Sequence, residues 1–271
     1  MYIFALCTLL VTAAHADDGW DIDIDDIQLD DSSTKGKELV TYTGAENQSA
    51  PDFAEGASVT ITHSGGTISV RCLDRKGISA RLNYTLEGTN RNALSAFGKG
   101  LGLRAWGGAT NGGVQTRIPG ASSSIKSKDL PLVVSLPSRA RVRINGGSGW
   151  VQVTGCEGTV AAANRSGDIA VDGNYSNISI TAARGDVDVS LTEDATLSGT
   201  NRIQAPGGTV KLALPMSYGG RIYARSAQVD VRHMVDGTES PTQVQGKIGD
   251  GNASLSITAK TEIKVTTPDG F

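Results

Sequence analysis

A nine-residue spacing of apolar pairs constrains the fold of this chain more than any other feature of its sequence. Within each pair the two apolar residues are separated by one polar or small residue, which is the two-residue period of a strand with one buried face. Six such pairs follow one another, and their first members are Val142, Val151, Val160, Ile169, Ile178 and Val187. The spacing predicts six short strands between residues 142 and 189.

A second periodicity, of 18 residues, indicates how these strands are arranged. The segments GSGWVQVTG, RSGDIAVDG and ARGDVDVSL align with Gly149, Gly167 and Gly185 in register, whereas the intervening EGTVAAA and SNISITA have no glycine there. Like segments therefore recur at every second strand, which favours a coil with two strands per turn over an antiparallel meander. We predict an all-β fold, a β-solenoid or β-helix-like stack of short repeated strands at 137–267, with an N-terminal β cap.

The rest of the chain divides by composition. Residues 1–16 are apolar and end in Ala14-His15-Ala16, which predicts a signal peptide, although no base precedes the apolar run. Either translation starts upstream of Met1 or the signal is a weak one, and a short buried helix is the alternative. Residues 17–56 are predicted to be an acidic, flexible leader, 57–136 an N-terminal β region with a Gly-rich loop at 88–113 that holds at most a short helix, and 268–271 a tail. No run of 18 apolar residues predicts a transmembrane helix.

The leader carries most of the charge asymmetry. Residues 17–31 contain eight Asp and no base, so the remainder holds 25 basic against 20 acidic residues. Asp21, Asp23 and Asp25 match the first ligand positions of an EF-hand, but Asp26 replaces its glycine and Ser32 its bidentate glutamate. A solvated linker is favoured over a calcium loop or an added strand, and no metal is predicted.

Two cysteines remain once the predicted leader peptide is removed, Cys72 and Cys156. In an oxidising compartment they can pair and join the early strands to the repeats. Two separate buried thiols are the alternative, because free cysteine packs as a small hydrophobic residue.

Residues 129–173 contain a motif set that resembles the DUF4097 family of bacterial β-strand repeat proteins, often labelled adhesins. The resemblance rests on Leu136-Pro137 at a strand end, Ser166-Gly167-Asp168-Ile169 and Gly185-Asp186-Val187, and it extends over about residues 57–267. Trp150 and Glu262 stand where the family pattern has Asp. The resemblance implies an exported, solenoid-like β fold without established catalytic residues.

The Gly-Asp pairs are the main candidate sites. Glycine permits positive φ and aspartate bonds backbone amides within a turn, so Gly149, Gly167 and Gly185 are predicted to serve turns. On this interpretation Arg184-Gly185-Asp186 is such a turn rather than an integrin-binding signal. Binding is predicted, if anywhere, at an exposed ring and along the stacked carboxylates, namely Trp106, Asp168, Asp186 and Asp188.

Motifs of several enzyme classes are absent from the sequence. It contains no G-x-S-x-G nucleophile elbow, no phosphate-binding loop and no C-x-x-C, and its basic residues are too scattered to predict nucleic-acid binding. We expect an exported, non-catalytic interaction module of the cell envelope or surface, without a cofactor, whose partner is a surface polysaccharide or envelope protein. The alternative is a polysaccharide-active enzyme or glycan-binding protein that uses the stacked Asp residues.

Overall fold

The structure, a computed structural model, describes residues 38–120, 122–231, 236–249 and 251–267. Within these ranges the chain is mostly β, with one α-helix in a large mixed sheet. The strands are β1 (Val40–Ala50), β2 (Ser58–His63), β3 (Ile68–Leu73), β4 (Ile78–Gly88), β5 (Gly102–Gly107), β6 (Asn111–Arg117), β7 (Ile125–Asp129), β8 (Leu132–Pro137), β9 (Arg141–Ser148), β10 (Val151–Ser166), β11 (Ile169–Ala182), β12 (Val187–Leu191), β13 (Thr200–Ala205), β14 (Val210–Ala213), β15 (Gly220–Arg225), β16 (Gln228–Val231), β17 (Asp236–Ser240), β18 (Gln243–Ile248), β19 (Ala253–Ala259) and β20 (Glu262–Thr266).

The strands pair into two long ladders. Ladder A runs in the order β5, β6, β2, β9, second half of β10, second half of β11, β13, β19, β15, β18, β17. Ladder B runs in the order β1, β4, β8, β3, first half of β10, first half of β11, β12, β14, β20, β16, and β7 pairs with β4 beside β8. The central pairings of both ladders are parallel, and antiparallel pairs occur towards the ends. Each of the long strands β10 and β11 contributes its first half to ladder B and its second half to ladder A. The pairing between the two strands shifts in register between these halves.

The 18-residue periodicity corresponds to parallel pairing. Ile169 lies opposite both Val151 and Val187 in ladder B, and Val160 lies opposite both Val142 and Ile178 in ladder A. Segments of like sequence are therefore hydrogen-bonded neighbours, and neighbouring strands in such a sheet lie about 4.8 Å apart.

A uniform solenoid is not confirmed, because the strand order departs from the sequence order at both ends. In ladder A, β2 lies between β6 and β9, and β19 lies between β13 and β15. The last strand of a parallel ladder has unpaired backbone groups along its free edge. Any strand with the same inward pattern can therefore pair with it. The alternating Leu255 and Ile257 of β19 have this pattern and are buried in their place.

The core is built from the inward side chains of both ladders. Nearly all of these residues are Val, Ile, Leu or Ala, and together they form one buried cluster. Tyr175 is an exception, because its ring is fully buried near the register shift of β11 and its hydroxyl donates to the carbonyl of Asp172 at 3.3 Å. Burial raises the pKa of the Tyr175 hydroxyl, so this group stays protonated and remains a donor.

Cys72 and Cys156 form a disulfide, with their Cα atoms 4.8 Å apart. Both cysteines are buried, and the bond joins β3 to β10 across ladder B. Of the two alternatives that the sequence left open, pairing is therefore the one that the structure contains. The bond closes a loop between residues 84 positions apart in sequence.

Two stretches predicted to be irregular are regular. Val40–Ala50, at the end of the predicted flexible leader, is β1 and pairs with β4 along its whole length. The Gly-rich stretch 88–113, predicted to be a loop with at most a short helix, contains α1 (Arg91–Gly100), strand β5 and the start of β6. Helix α1 begins at the Asn90 cap, whose side chain accepts from the Ala93 amide, and it buries Leu94 and Phe97.

Glycines in β6 explain why a Gly-rich sequence forms a strand here. A Cβ at Gly113 would collide with the ring of Trp106 on β5, and a Cβ at Gly112 would meet the ring of Phe53. The missing side chains therefore make room for two large rings. The predicted signal peptide, residues 17–37 of the leader and the tail 268–271 lie outside the described residues.

Candidate functional site: the Gly-Asp column and its groove

The predicted turn glycines form a column at the start of the ladder B strands. Gly149 and Gly167 have φ of +98° and +108°, in the left-handed region that favours glycine. A Cβ on Gly167 or Gly185 would collide with the carbonyl oxygen of the glycine one coil below, Gly149 and Gly167 respectively. Glycine is therefore required for close stacking of the turns as well as for backbone conformation.

The aspartates beside this column bond to the neighbouring coil. The Asp168 carboxylate accepts from the backbone amide of Asp186 at 2.8 Å, and the Asp186 carboxylate accepts from the amide of Thr209 at 2.7 Å. The sequence predicted capping within one turn, whereas each carboxylate caps the next turn in the stack. The difference arises because stacked turns place the amide of one coil directly over the carboxylate of the other.

Arg184-Gly185-Asp186 is part of this hydrogen-bonded column. The Arg184 carbonyl accepts from the Gly167 amide at 2.7 Å, and the Asp186 carbonyl accepts from the Ile169 amide at 2.9 Å. Both outer residues of the triplet are exposed, but their backbones are held by the adjacent coil. The triplet thus lies in a regular stacked turn rather than at a protruding tip.

A buried asparagine supports the same turns and was missed by the sequence reasoning. The Asn164 side-chain amide donates to the carbonyls of Gly149 at 2.7 Å, Gly167 at 3.0 Å and Ser166 at 3.3 Å. Asn164 has the inward parity of Val160 and Ala162, and a polar residue at an inward position was the signal that could have revealed it. Asn201 plays a similar part in ladder A, where its carbonyl oxygen accepts from the Ile178 amide at 2.9 Å.

A shallow groove of about 290 Å³ lies beside the column. It is lined by Trp150 and by the following side chains: Asp168, Asp186, Asp188, Thr209 and Lys211. Three carboxylates, an ammonium group and an indole ring therefore share one surface. Such a groove can accept hydrogen bonds from the hydroxyls of a ligand and can offer an aromatic face to an apolar ring surface.

The structure does not bring the predicted binding residues into one site. Asp168, Asp186 and Asp188 share the groove on ladder B, but Trp106 lies on β5 in ladder A, where the Arg104 guanidinium lies 5.4 Å from its ring centroid. The sequence predicted Trp106 as the tryptophan whose ring is exposed, and among the described residues both Trp106 and Trp150 are exposed. Trp150 is 44% exposed and Trp106 39%.

No group of three or more His, Cys, Asp or Glu side chains close enough to hold a metal ion occurs in the described ranges. Nor does any helix within them have the length and apolar character needed to cross a membrane.

The fold and the stacked Gly-Asp turns define a parallel β-repeat protein. A family model described as Toastrack DUF4097 matches residues 113–270, more than half of the chain. The chain therefore belongs to the toastrack DUF4097 family, as the Leu-Pro and Gly-Asp motifs predicted. No curated protein matches the chain.

Several solved structures resemble the chain at low identity. One, from Clostridium sporogenes and titled a "putative cell adhesion protein", is 14% identical with a TM-score of 0.49, and the match covers 83% of this chain and all of that one. A "putative adhesin" from Bacteroides fragilis is 9% identical with a TM-score of 0.30, over 85% of this chain and 98% of that one. A "putative lipid binding protein" from Parabacteroides distasonis is 11% identical with a TM-score of 0.26, over 83% and 96%. At these TM-scores the likenesses carry no argument about function.

Proposed function

We propose that the protein is an exported, non-catalytic interaction module of the cell envelope or surface, and that its two ladders are the two faces of a solenoid-like stack. The hydrogen bonds of Asp168 and Asp186 carry this proposal. Each of these carboxylates accepts from the backbone amide of the next coil through one oxygen, which gives it a structural role that needs no catalysis. Their role is therefore to hold the stack together.

The disulfide supports export. Disulfides form and persist in oxidising compartments, whereas cytosolic thiols are kept reduced. Cys72 and Cys156 are bonded and buried, so the protein is built for an oxidising compartment. The 18-residue register of the central strands supports the solenoid-like stack, because each coil contributes one strand to each ladder.

Export is tested by fractionating producing cells after their free thiols have been alkylated. We expect the protein in the periplasmic, surface or secreted fraction, with Cys72 and Cys156 protected from the alkylating reagent until a reductant is added. Full-length protein in the cytosol with both thiols alkylated would refute the proposal.

A second candidate function, glycan binding at the groove, is favoured by the exposed ring of Trp150 beside Asp188 and Lys211. Aromatic rings stack on sugar faces and carboxylates accept from sugar hydroxyls. Trp150→Ala would then abolish binding of an oligosaccharide, and the matched change Trp106→Ala would not. If the same incubations produced new reducing ends that disappeared in Asp186→Ala, the protein would be an enzyme instead.

A further inference from the structure

From β5 through β18 the outward side of ladder A carries charge of one sign, while the terminal strand β17 adds the exposed Asp236 and Glu239. We define the arginine face as the outward side chains of ladder A from β5 through β18. It contains eight exposed arginines and no acidic side chain at any described outward position. The arginines are Arg104, Arg117, Arg141, Arg143, Arg165, Arg202, Arg221 and Arg225.

The register places these arginines along an extended surface. One row of directly paired residues leads from Trp106 on β5 through Arg143 and Arg202 to Tyr223 on β15. With neighbouring strands about 4.8 Å apart, its eight strand steps span about 38 Å. Arg143 and Arg202 are three steps, or about 14 Å, apart along this row. A ligand that contacts the whole row must therefore be a long chain rather than a compact molecule.

Small side chains separate the arginines of this row. Ala161 and Ser179 are the residues between Arg143 and Arg202, and Ser256 lies between Arg202 and Tyr223. The guanidinium groups therefore stand above a low floor of methyl and hydroxyl groups. The small side chains leave space for a ligand to lie between the arginines.

Most of these arginine side chains have no ion-pair or hydrogen-bond partner within the part of the chain that the structure describes. Among the described residues Arg141, Arg143, Arg202, Arg221 and Arg225 form no ion pair and no side-chain hydrogen bond, whereas the ion pairs of this part of the chain belong to Arg139. Grouped like charges repel one another, so a face of this kind carries a small cost in stability. An anionic partner that binds several arginines at once would offset this cost.

The chemistry of the face indicates the kind of anion. The planar guanidinium fork binds a carboxylate in bidentate fashion, and the neighbouring Ser, Thr, Asn and Gln side chains can hydrogen-bond sugar hydroxyls. Stacking of nucleic-acid bases needs successive aromatic side chains, but this face has only two exposed rings, Trp106 and Tyr223, at opposite ends. It also offers no outward Leu, Ile or Phe that could enter a membrane interface.

We propose that the arginine face binds a carboxylate-bearing polysaccharide laid across the strands of ladder A. The proposal rests on the non-catalytic function proposed above, since it requires binding without cleavage. The arginines hold the carboxylates and the small polar side chains contact the hydroxyls. Because the attraction is largely electrostatic and exposed, added salt weakens it.

The test is a titration of the full chain with alginate and, in parallel, with a neutral dextran of matched length. We expect alginate to bind at low ionic strength and to be released at about 0.5 M NaCl, where screening acts over a few ångströms. Dextran should not bind. In Arg143→Gln/Arg202→Gln/Arg225→Gln we expect alginate affinity to fall about 100-fold, the size of effect that three basic groups have at an anionic surface.

The matched control removes the same charge from ladder B. Arg71→Gln/Arg81→Gln/Lys264→Gln carries its three changes at exposed outward positions of β3, β4 and β20. Its alginate affinity should stay within about threefold of the wild type, because surface charges far from the arginine face are screened. Thermal melts of both triple variants should match that of the wild type.

Three results would overturn the proposal. They are no alginate binding by the folded protein, equal losses in the two triple variants, and tighter binding of a single-stranded oligonucleotide or of anionic vesicles than of alginate. Shortening of the alginate chains with an intact arginine-face effect is a separate outcome. It would refute the non-catalytic function while leaving the face as the binding site.

Discussion

The outward sides of the two ladders differ although their interiors are alike. Inward positions of both ladders hold Val, Ile, Leu and Ala in the same alternation. Ladder B has outward side chains of both signs, with Lys211 opposite Asp188 and with Arg71 and Asp172 on the two strands that flank Thr154, whereas the arginine face of ladder A, from β5 through β18, has one sign only. Packing dictates the interior and leaves the outward positions free. The charge difference between the faces is therefore not imposed by the core, and the predictions below test how far the ladders are equivalent.

The largest effect on stability is expected from the Cys72–Cys156 disulfide, which lies in ladder B and has no counterpart among the described strands of ladder A. Reduction of Cys72–Cys156 should lower the free energy of unfolding by about 3 to 5 kcal/mol, because the bond restricts a long loop in the unfolded chain. Denaturant unfolding with and without dithiothreitol measures this directly. The reduced wild type keeps both sulfur atoms and so isolates the bond itself. An unchanged midpoint after complete reduction, verified by thiol titration, would contradict the prediction.

The second largest effect is expected from the buried side chains, and their loss should lower stability equally in the two ladders. Ile169 in ladder B and Ile178 in ladder A are both buried at equivalent inward positions. Ile169→Ala and Ile178→Ala should each lower the free energy of unfolding by about 2 to 5 kcal/mol through lost burial and the cavity left behind. The outward controls Ser190→Ala and Ser179→Ala should be nearly neutral in urea titrations. Similar losses at Ile178 and Ser179 would mean that the assigned alternation is wrong.

The Gly-Asp column should give a smaller, graded effect. Gly185→Val should cost about 1 to 3 kcal/mol, because its φ of +157° and the nearby Gly167 carbonyl leave no place for a branched side chain. Asp186→Ala should cost about 1 kcal/mol through the lost bond to Thr209, while Asp186→Asn keeps an acceptor and should change little. Thermal melts rank the three variants.

Arg184→Ala completes this series and should change neither stability nor attachment to integrin-bearing cells. The Arg184 side chain is exposed, and it is the backbone carbonyl that bonds to the column. Attachment that was lost in Arg184→Ala and in Asp186→Glu without any change in melting would identify the triplet as an adhesion signal.

The smallest effect on stability is expected from His63, at the end of β2, whose protonation matters only below neutral pH. Its ring is buried, with Nδ1 2.8 Å from the Thr116 hydroxyl and Nε2 2.8 Å from the Leu130 carbonyl. Burial lowers the pKa of His63 below its ordinary value of 6.5, so the unfolded chain binds the proton more readily than the folded protein does. Stability should therefore be constant above about pH 7 and fall as the pH drops through 6.5 toward the folded pKa, by at most about 1.4 kcal/mol per pH unit.

Urea titrations between pH 5 and 7, the range above the titration of ordinary carboxylates, measure this dependence. His63→Gln removes the titrating group and should flatten the pH dependence relative to the wild type. A wild-type curve that stays flat in this range, or a variant curve as steep as that of the wild type, would contradict the assignment.

The periodicity predicted the centre of this protein well. Nine-residue alternation identified the buried pairs, and 18-residue similarity identified which strands pair, from Val142 to Val189. Both predictions work because each depends on neighbours that are close in sequence: a strand's own alternation, and a repeat stacked on the next repeat. The family motifs lie in the same region and were recognised for the same reason.

Local sequence could not decide the ends of the ladders or the site. The insertion of β19 between β13 and β15, and the pairing of β1 with β4, join residues far apart in the chain, and nothing in their local pattern selects one partner over another. The same holds for the carboxylate bonds between coils and for Trp150 beside Asp188. The sequence by itself determined which side chains are buried and that like coils stack, because burial follows a short period. Only the tertiary structure decided which strands close the ladders and that the arginines share one face, because these depend on strand order and register over long separations.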